Sequence, residues 1–112
     1  MSIFHQEDYY GKIEYKRYFN NKDQDRLDKY ATQLNFRINE GHGEAIYLIG
    51  VNDDGSIYGL NDYQLINNIN TLTNMTKLLN LFISLIIWCN YKEKKFLICK
   101  VKSINFDENL IL

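Results

Sequence analysis

The chain has 112 residues, 13 Lys or Arg against 14 Asp or Glu, a net charge of −1, two cysteines and no proline. That length makes one domain able to bury a single core. The near-neutral balance excludes a global basic field for nucleic acid or anionic membrane, so any RNA contact must rest on a local patch. The longest apolar run, Leu81–Trp88, is far below the roughly 20 residues a membrane helix needs and is rich in β-branched and aromatic residues, so it reads as a buried strand. Met1–Asp8 has no basic and apolar signal-peptide pattern, and two cysteines suit a reducing compartment, which together indicate a cytoplasmic protein without a membrane partner.

Lys12–Phe19 reads as the first strand, with Ile13 and Tyr15 facing one way and Glu14, Lys16 and Tyr18 the other. Asp23 suits a helix N-cap. Leu27, Tyr30, Ala31, Leu34 and Ile38 then form one face of an amphipathic helix, with Arg26, Lys29, Gln33 and Arg37 mostly off it. Gly41 stands just past the helix end, where a left-handed residue is common. Ala45–Val51 is nearly continuous in apolar character, as in a central strand. Asn52-Asp53-Asp54-Gly55 is a hairpin turn signal, with Ser56–Leu60 as the return strand. Asn61 or Asp62 can cap a second helix whose stripe is Leu65, Ile66, Ile69, Leu72, Met75 and Leu79. Leu81–Tyr91 and Lys95–Lys102 form a last hairpin.

A loop centred on Glu93 and Lys94 pairs Cys89 with Ile98 and sends Cys99 to the other face, so both thiols are expected free; a half-step shift would instead set the cysteines opposite each other. Two cysteines alone do not make a structural zinc site. The order β-α-β-β-α-β-β predicts an α+β domain with a mixed or antiparallel sheet and two amphipathic helices. It spans 1–112 as one unit, with 103–112 as a tail or a linker toward a following domain.

The chemistry-bearing residues each have a plain alternative. Asn52, Asp53 and Asp54 are hard oxygen donors for a divalent cation, yet Asp and Asn populate turns for backbone reasons alone. Gly41-His42-Gly43 follows a helix and precedes a strand, the reverse of a dinucleotide fingerprint, and there is no P-loop. His42 is an acid, a base, an RNA contact or a solvent-facing loop residue. Glu14 and Lys16 share a strand face, as a catalytic carboxylate with its partner or as an ion pair of little weight. Lys12, Lys16, Arg17, Lys100 and Lys102 lie among Tyr9, Tyr10 and Tyr18. Merged into one surface, they would suit single-stranded RNA through phosphate contact and base stacking; dispersed, they are a solvated charged face. The abundance of Asn, Ile, Lys and Tyr points to an AT-rich genome, as in giant viruses and some protists; in a virus the compartment is the host cytoplasm.

Gly11-Lys12-Ile13-Glu14-Tyr15-Lys16, Gln33-Leu34-Asn35-Phe36-Arg37, the stretch from Gly41 to Leu60, and Phe96-Leu97-Ile98-Cys99-Lys100-Val101 resemble the domain preceding the GTPase domain in the GTP-binding protein 1 and 2 family, relatives of elongation factor Tu. Glu14-Tyr15-Lys16, and Ile49-Gly50-Val51 followed by Asp-Gly, resemble more distantly the AlbA-type module of Schlafen proteins. The first resemblance implies a non-catalytic binding or regulatory module with a link to translation, whose partners are RNA, the ribosome or a GTPase domain, with no cofactor. Lys12, Lys16, Arg17, Tyr18, Lys100 and Lys102 are then the partner-binding residues. The second implies a metal-dependent RNase that uses Glu14 with Glu7 or Asp8 and Asp53 or Asp54 around Mg²⁺ or Mn²⁺. Against it, Tyr9 stands where that family has an earlier acidic residue, and Asn52 where it has a carboxylate. A third class is a homo-dimer assembled through an exposed sheet edge.

Overall fold

The computed structural model of the chain describes residues 2–20 and 24–104. Its elements are β1 (Ile13–Lys16), α1 (Gln24–Glu40), β2 (Glu44–Ile49), α2 (Asp62–Leu78), β3 (Leu81–Tyr91) and β4 (Lys94–Ser103). The strands form one sheet in the order β1-β2-β4-β3, with β1 parallel to β2 and the other pairs antiparallel. The fold is therefore α+β, with two helices and a four-stranded mixed sheet. The expected Asp23 cap and residues 105–112 of the expected tail lie outside the described residues. Ser103 closes β4, and Ile104 donates its N–H to the Asn80 carbonyl.

Strand alternation divides the core in two. Ala45, Tyr47 and Ile49 of β2 and Leu97, Cys99 and Val101 of β4 meet Leu34 and Ile38 of α1 and Leu65, Leu72 and Met75 of α2. Both helices thus pack on one face. On the other, Tyr15, Leu48, Val51, Ile57 and Phe96 form a smaller cluster, onto which the N-terminal segment lays Phe4. Ile13 and Tyr15 register with Ile46 and Leu48 on this second face, so Glu14 and Lys16 face the helices, as the alternation predicts.

The return strand expected over Ser56–Leu60 is reduced to one bridge, Val51 to Ile57. Gly50, at φ 90°, turns the chain, and its carbonyl accepts the N–H groups of both Tyr58 and Gly59. Leu60 then donates to the Lys95 carbonyl instead of extending a ladder. The sheet accordingly has four strands, not five.

The last hairpin turns at Lys92 and Glu93, both left-handed as a type I′ turn requires, with φ of 51° and 67°. This centre is one residue earlier than expected, so Cys89 pairs with Phe96 rather than Ile98. A register change of two preserves the faces. Cys99 lies in the helix-side core and Cys89 on the other side, and both thiols are free. Burial pushes the Cys99 thiol up to about 12.

The left-handed residues after α1 are His42 and Gly43, not Gly41. Gly41 is needed for a different reason: a Cβ there would stand 1.7 Å from the Glu44 carbonyl oxygen. In α2 the cap is Asn61, whose side chain accepts the Gln64 N–H while Gln64 Oε1 accepts the Asn61 N–H. The buried face of α2 includes Asn68 and Thr71, and Ile66 is exposed. Asn68 holds its place by accepting the Phe19 N–H at 2.6 Å and donating to the Gln64 carbonyl.

Candidate functional site

Arg37, expected off the buried stripe, is the hub of the α1–β1 junction. Both it and Glu14 are only 3% exposed. Arg37 Nε donates to Glu14 Oε1 at 2.8 Å, Nη1 to the Gly11 carbonyl at 2.8 Å and Nη2 to the Asp8 carbonyl at 2.9 Å. One guanidinium thus ties α1 to β1 and to the segment before it, using the planar fork that distinguishes arginine from lysine. Glu14 therefore pairs with Arg37, not with Lys16. The signal for Arg37 is slight: it lies about 60° around the helix from Leu34, at the margin of the apolar stripe.

Glu7 joins this cluster from the N-terminal segment. Its carboxylate accepts the Tyr15 N–H and lies 3.8 Å from Arg37 Nη2. Burial raises its pKa to about 7, against the Tyr15 hydrogen bond, which lowers it; the neighbouring Glu14 charge raises it further. The same segment is held by hydrogen bonds from Glu7 N–H to the Asp53 carbonyl and from the Tyr15 hydroxyl to the His5 carbonyl. Tyr47, the β2 partner of Glu14, is fully buried, and its hydroxyl is the one buried side-chain polar atom without a hydrogen-bond partner among the described residues. Burial, and then the Glu14 charge, drive its pKa well above the ordinary tyrosine value. Beside this cluster is a cleft of about 560 Å³, walled by Tyr9, Lys29 and Phe36.

Of the five acidic residues in the RNase alternative, the fold joins Glu7 to Glu14 and brings Asp53 within electrostatic reach of Glu7. Asp8 contributes its backbone carbonyl, and its side chain lies 3.4 Å from His5. Asp54 stays in its own turn, where Oδ1 accepts from the Ser56 N–H and hydroxyl and its pKa is lowered by those bonds. Among the described residues no three His, Cys, Asp or Glu side chains converge in a metal-holding group. His42 is exposed in the α1–β2 turn.

The basic residues fall into two groups. Lys12 and Lys100 reach Glu44, at 3.9 and 2.9 Å, with Lys102 opposite Glu44 in the register. The Lys100 hydrogen bond, with these cations, lowers the Glu44 pKa. Lys16, Arg17 and Tyr18 lie at the other end of β1. Together with Arg26, Tyr30 and Asn52 they line an open cleft of about 410 Å³. Lys16 Nζ stands 4.9 Å from the Tyr30 ring, and the Arg17 guanidinium 5.0 Å from the Tyr58 ring. Arg17 Nε also donates to Asn52 Oδ1 at 2.9 Å, and Tyr18 packs against Tyr58. Tyr58 was not foreseen in this group, because it comes from the loop that replaces the expected return strand.

Among the described residues no helix is long and apolar enough to cross a membrane. No protein-family model and no solved structure matches the chain. It is 38% identical over 85 residues to uncharacterized protein R625 of Acanthamoeba polyphaga mimivirus, covering 75% of this chain and 46% of that protein. It is 40% identical over 67 residues to GTP-binding protein 2 of mouse and of human, covering 60% of this chain and 11% of each relative. GTP-binding protein 1 of Xenopus laevis is 40% identical over 53 residues, 47% of this chain and 8% of that protein. The chain thus spans under half of the viral relative and about a tenth of GTP-binding protein 2. The resemblance read from its motifs is a measured one: the chain is similar in sequence to a segment of the GTP-binding protein 1 and 2 family.

Proposed function

We propose that this chain is a non-catalytic module that binds single-stranded RNA in the cleft between the end of β1 and the start of α1. We infer that it works beside a GTP-binding domain of translation type, in the cytoplasm, on RNA or the ribosome. One observation carries the RNA reading: Lys16, Arg17 and Arg26 line a cleft with Tyr18 and Tyr30, and Tyr58 lies under Arg17. Cations give phosphate attraction, and aromatic faces accept stacked bases of any sequence. The similarity to GTP-binding protein 2 supports the partnership with a GTPase. The two-layer arrangement of helices on one sheet face supports an AlbA-like assignment of the fold.

The test is anisotropy of labelled single-stranded RNA, read for binding and cleavage with Mg²⁺ and with EDTA. The expected result is binding insensitive to EDTA, with log affinity falling against log salt at roughly 0.7 per phosphate neutralised. Arg17→Ala and Tyr58→Ala should each weaken it several-fold. Absence of binding overturns the reading. A second reading, a Schlafen-like RNase, draws on Glu7 beside Glu14; metal-dependent cleavage abolished by Glu14→Gln would establish it.

A further inference from the structure

β3 is an outer strand of the sheet and, at eleven residues, its longest. Natural sheets guard such an edge by shortness, by Lys or Pro, by bulges or by a covering segment. β3 has one bulge, between Ile83 and Leu85, and none of the chemical guards: Leu81–Tyr91 contains no Asp, Glu, Lys, Arg or Pro. Beyond the bulge, Leu85–Tyr91 pairs with β4 without interruption. Among the described residues no strand meets the outer backbone N–H and C=O groups of this run. The register puts Leu85 and Ile87 on the face away from the helices and Trp88 on the helix face, and the three are 48%, 42% and 53% exposed. Both sides of the strand therefore present apolar surface beside a row of backbone groups that no described strand pairs.

We propose that β3 pairs antiparallel with β3 of a second copy of this chain, joining two four-stranded sheets across a two-fold axis near Trp88. A two-fold contact sets a strand against itself, so a charge close to the axis would lie near its own copy. This strand carries none. Centring the axis on the uninterrupted run sets Trp88 beside its counterpart and Ile87 beside Cys89, aromatic and apolar cross-strand pairs of the stabilising kind. The same geometry places the Lys92-Glu93 turn of each copy against the Ser84 end of the other, so like charges stay apart. The bulge falls outside the paired run, where it ends the new ladder without interrupting it.

The test is light scattering of the whole chain over a concentration series. The expected mass is twice 13.3 kDa at the upper end, falling toward 13.3 kDa on dilution. The double variant Leu85→Lys with Ile87→Lys, at exposed positions, should dimerise about tenfold more weakly or worse, since it removes two apolar cross-strand contacts per copy and sets the lysines introduced by Ile87→Lys diagonally across the axis. Tyr63→Lys, exposed on α2, should leave the dimer intact. A variant-independent check is amide exchange of wild-type residues 85–91, whose protection should rise with protein concentration. A wild-type chain that stays monomeric overturns the proposal, including the case in which only a chain ending at Ile104 dimerises because its own tail covers β3. A dimer whose 85–91 amides gain no protection, or which tolerates the lysine pair, overturns it too.

Discussion

The two edges of the sheet are built in opposite ways. β1 is four residues long, and the polar groups around it are taken: Tyr15 N–H by Glu7, Gly11 N–H by Glu40 at 2.9 Å, and the Gly11 carbonyl by Arg37. β3 is nearly three times as long and carries no charged residue. The difference teaches that exposure of an edge is a choice of side chains as much as of topology. At β1, a segment from the N-terminus and one arginine from α1 close the edge. At β3, packing against β4 is complete and the outer side is left apolar.

The largest expected effect falls on the closed edge. Arg37→Ala strands the buried Glu14 carboxylate and should cost about 3–5 kcal/mol in urea unfolding, the usual cost of breaking a buried pair. A loss under about 1 kcal/mol would mean that water reaches Glu14 and the edge is not sealed. Next, Asn68→Ala leaves the Phe19 N–H without its acceptor just beyond β1, with an expected loss of about 1–3 kcal/mol.

Glu7 gives the closed edge a pH dependence. Its folded pKa, about 7, is raised above the ordinary value of 4.5, so the folded state holds a proton that the unfolded state releases. Its contribution to stability is fully present below about pH 4.5 and is lost as pH rises through 7. Denaturation midpoints measured from pH 4.5 to 8 should fall, and Glu7→Gln should flatten that slope; an unchanged slope would assign it to other groups. The smallest effect belongs to the open edge: in the monomer, Leu85→Thr should change stability by no more than about 0.5 kcal/mol in the same unfolding assay.

Much of this architecture can be read from local patterns. The stripe of α1, the Leu65, Leu72 and Met75 part of the α2 stripe, the apolar run of β2, a cap at Asn61 or Asp62, and the face alternation around Glu14 all depend on neighbours in sequence. What failed to read has a long-range cause. Arg37 is buried because Glu14 and two carbonyls from the N-terminal segment meet it, and none of these is near it in the chain. The strand expected after Asp54-Gly55 dissolves because Leu60 bonds to Lys95, a partner that exists only once β4 is in place. The hairpin centre was displaced because Lys92 and Glu93 adopt left-handed conformations without the glycine or asparagine that marks such turns. The basic residues appeared as one set in the sequence, but Glu44 draws Lys12 and Lys100 to one end of β1 and leaves Lys16 and Arg17 at the other.

The β3–β4 hairpin also bears on the order of events in folding. Its pairs run from Tyr91 with Lys94 to Leu81 with Ser103, so each contact closes only a short loop, whereas Ile13 meets Ile46 only after the whole of α1 has been spanned. Loop-closure entropy and contact order favour the hairpin as the earlier structure. The uncharged edge is then presented while Arg37 has yet to seal β1, so self-encounter through β3 competes with completion of the sheet, and refolding yield should depend on protein concentration more steeply than the native state's stability does.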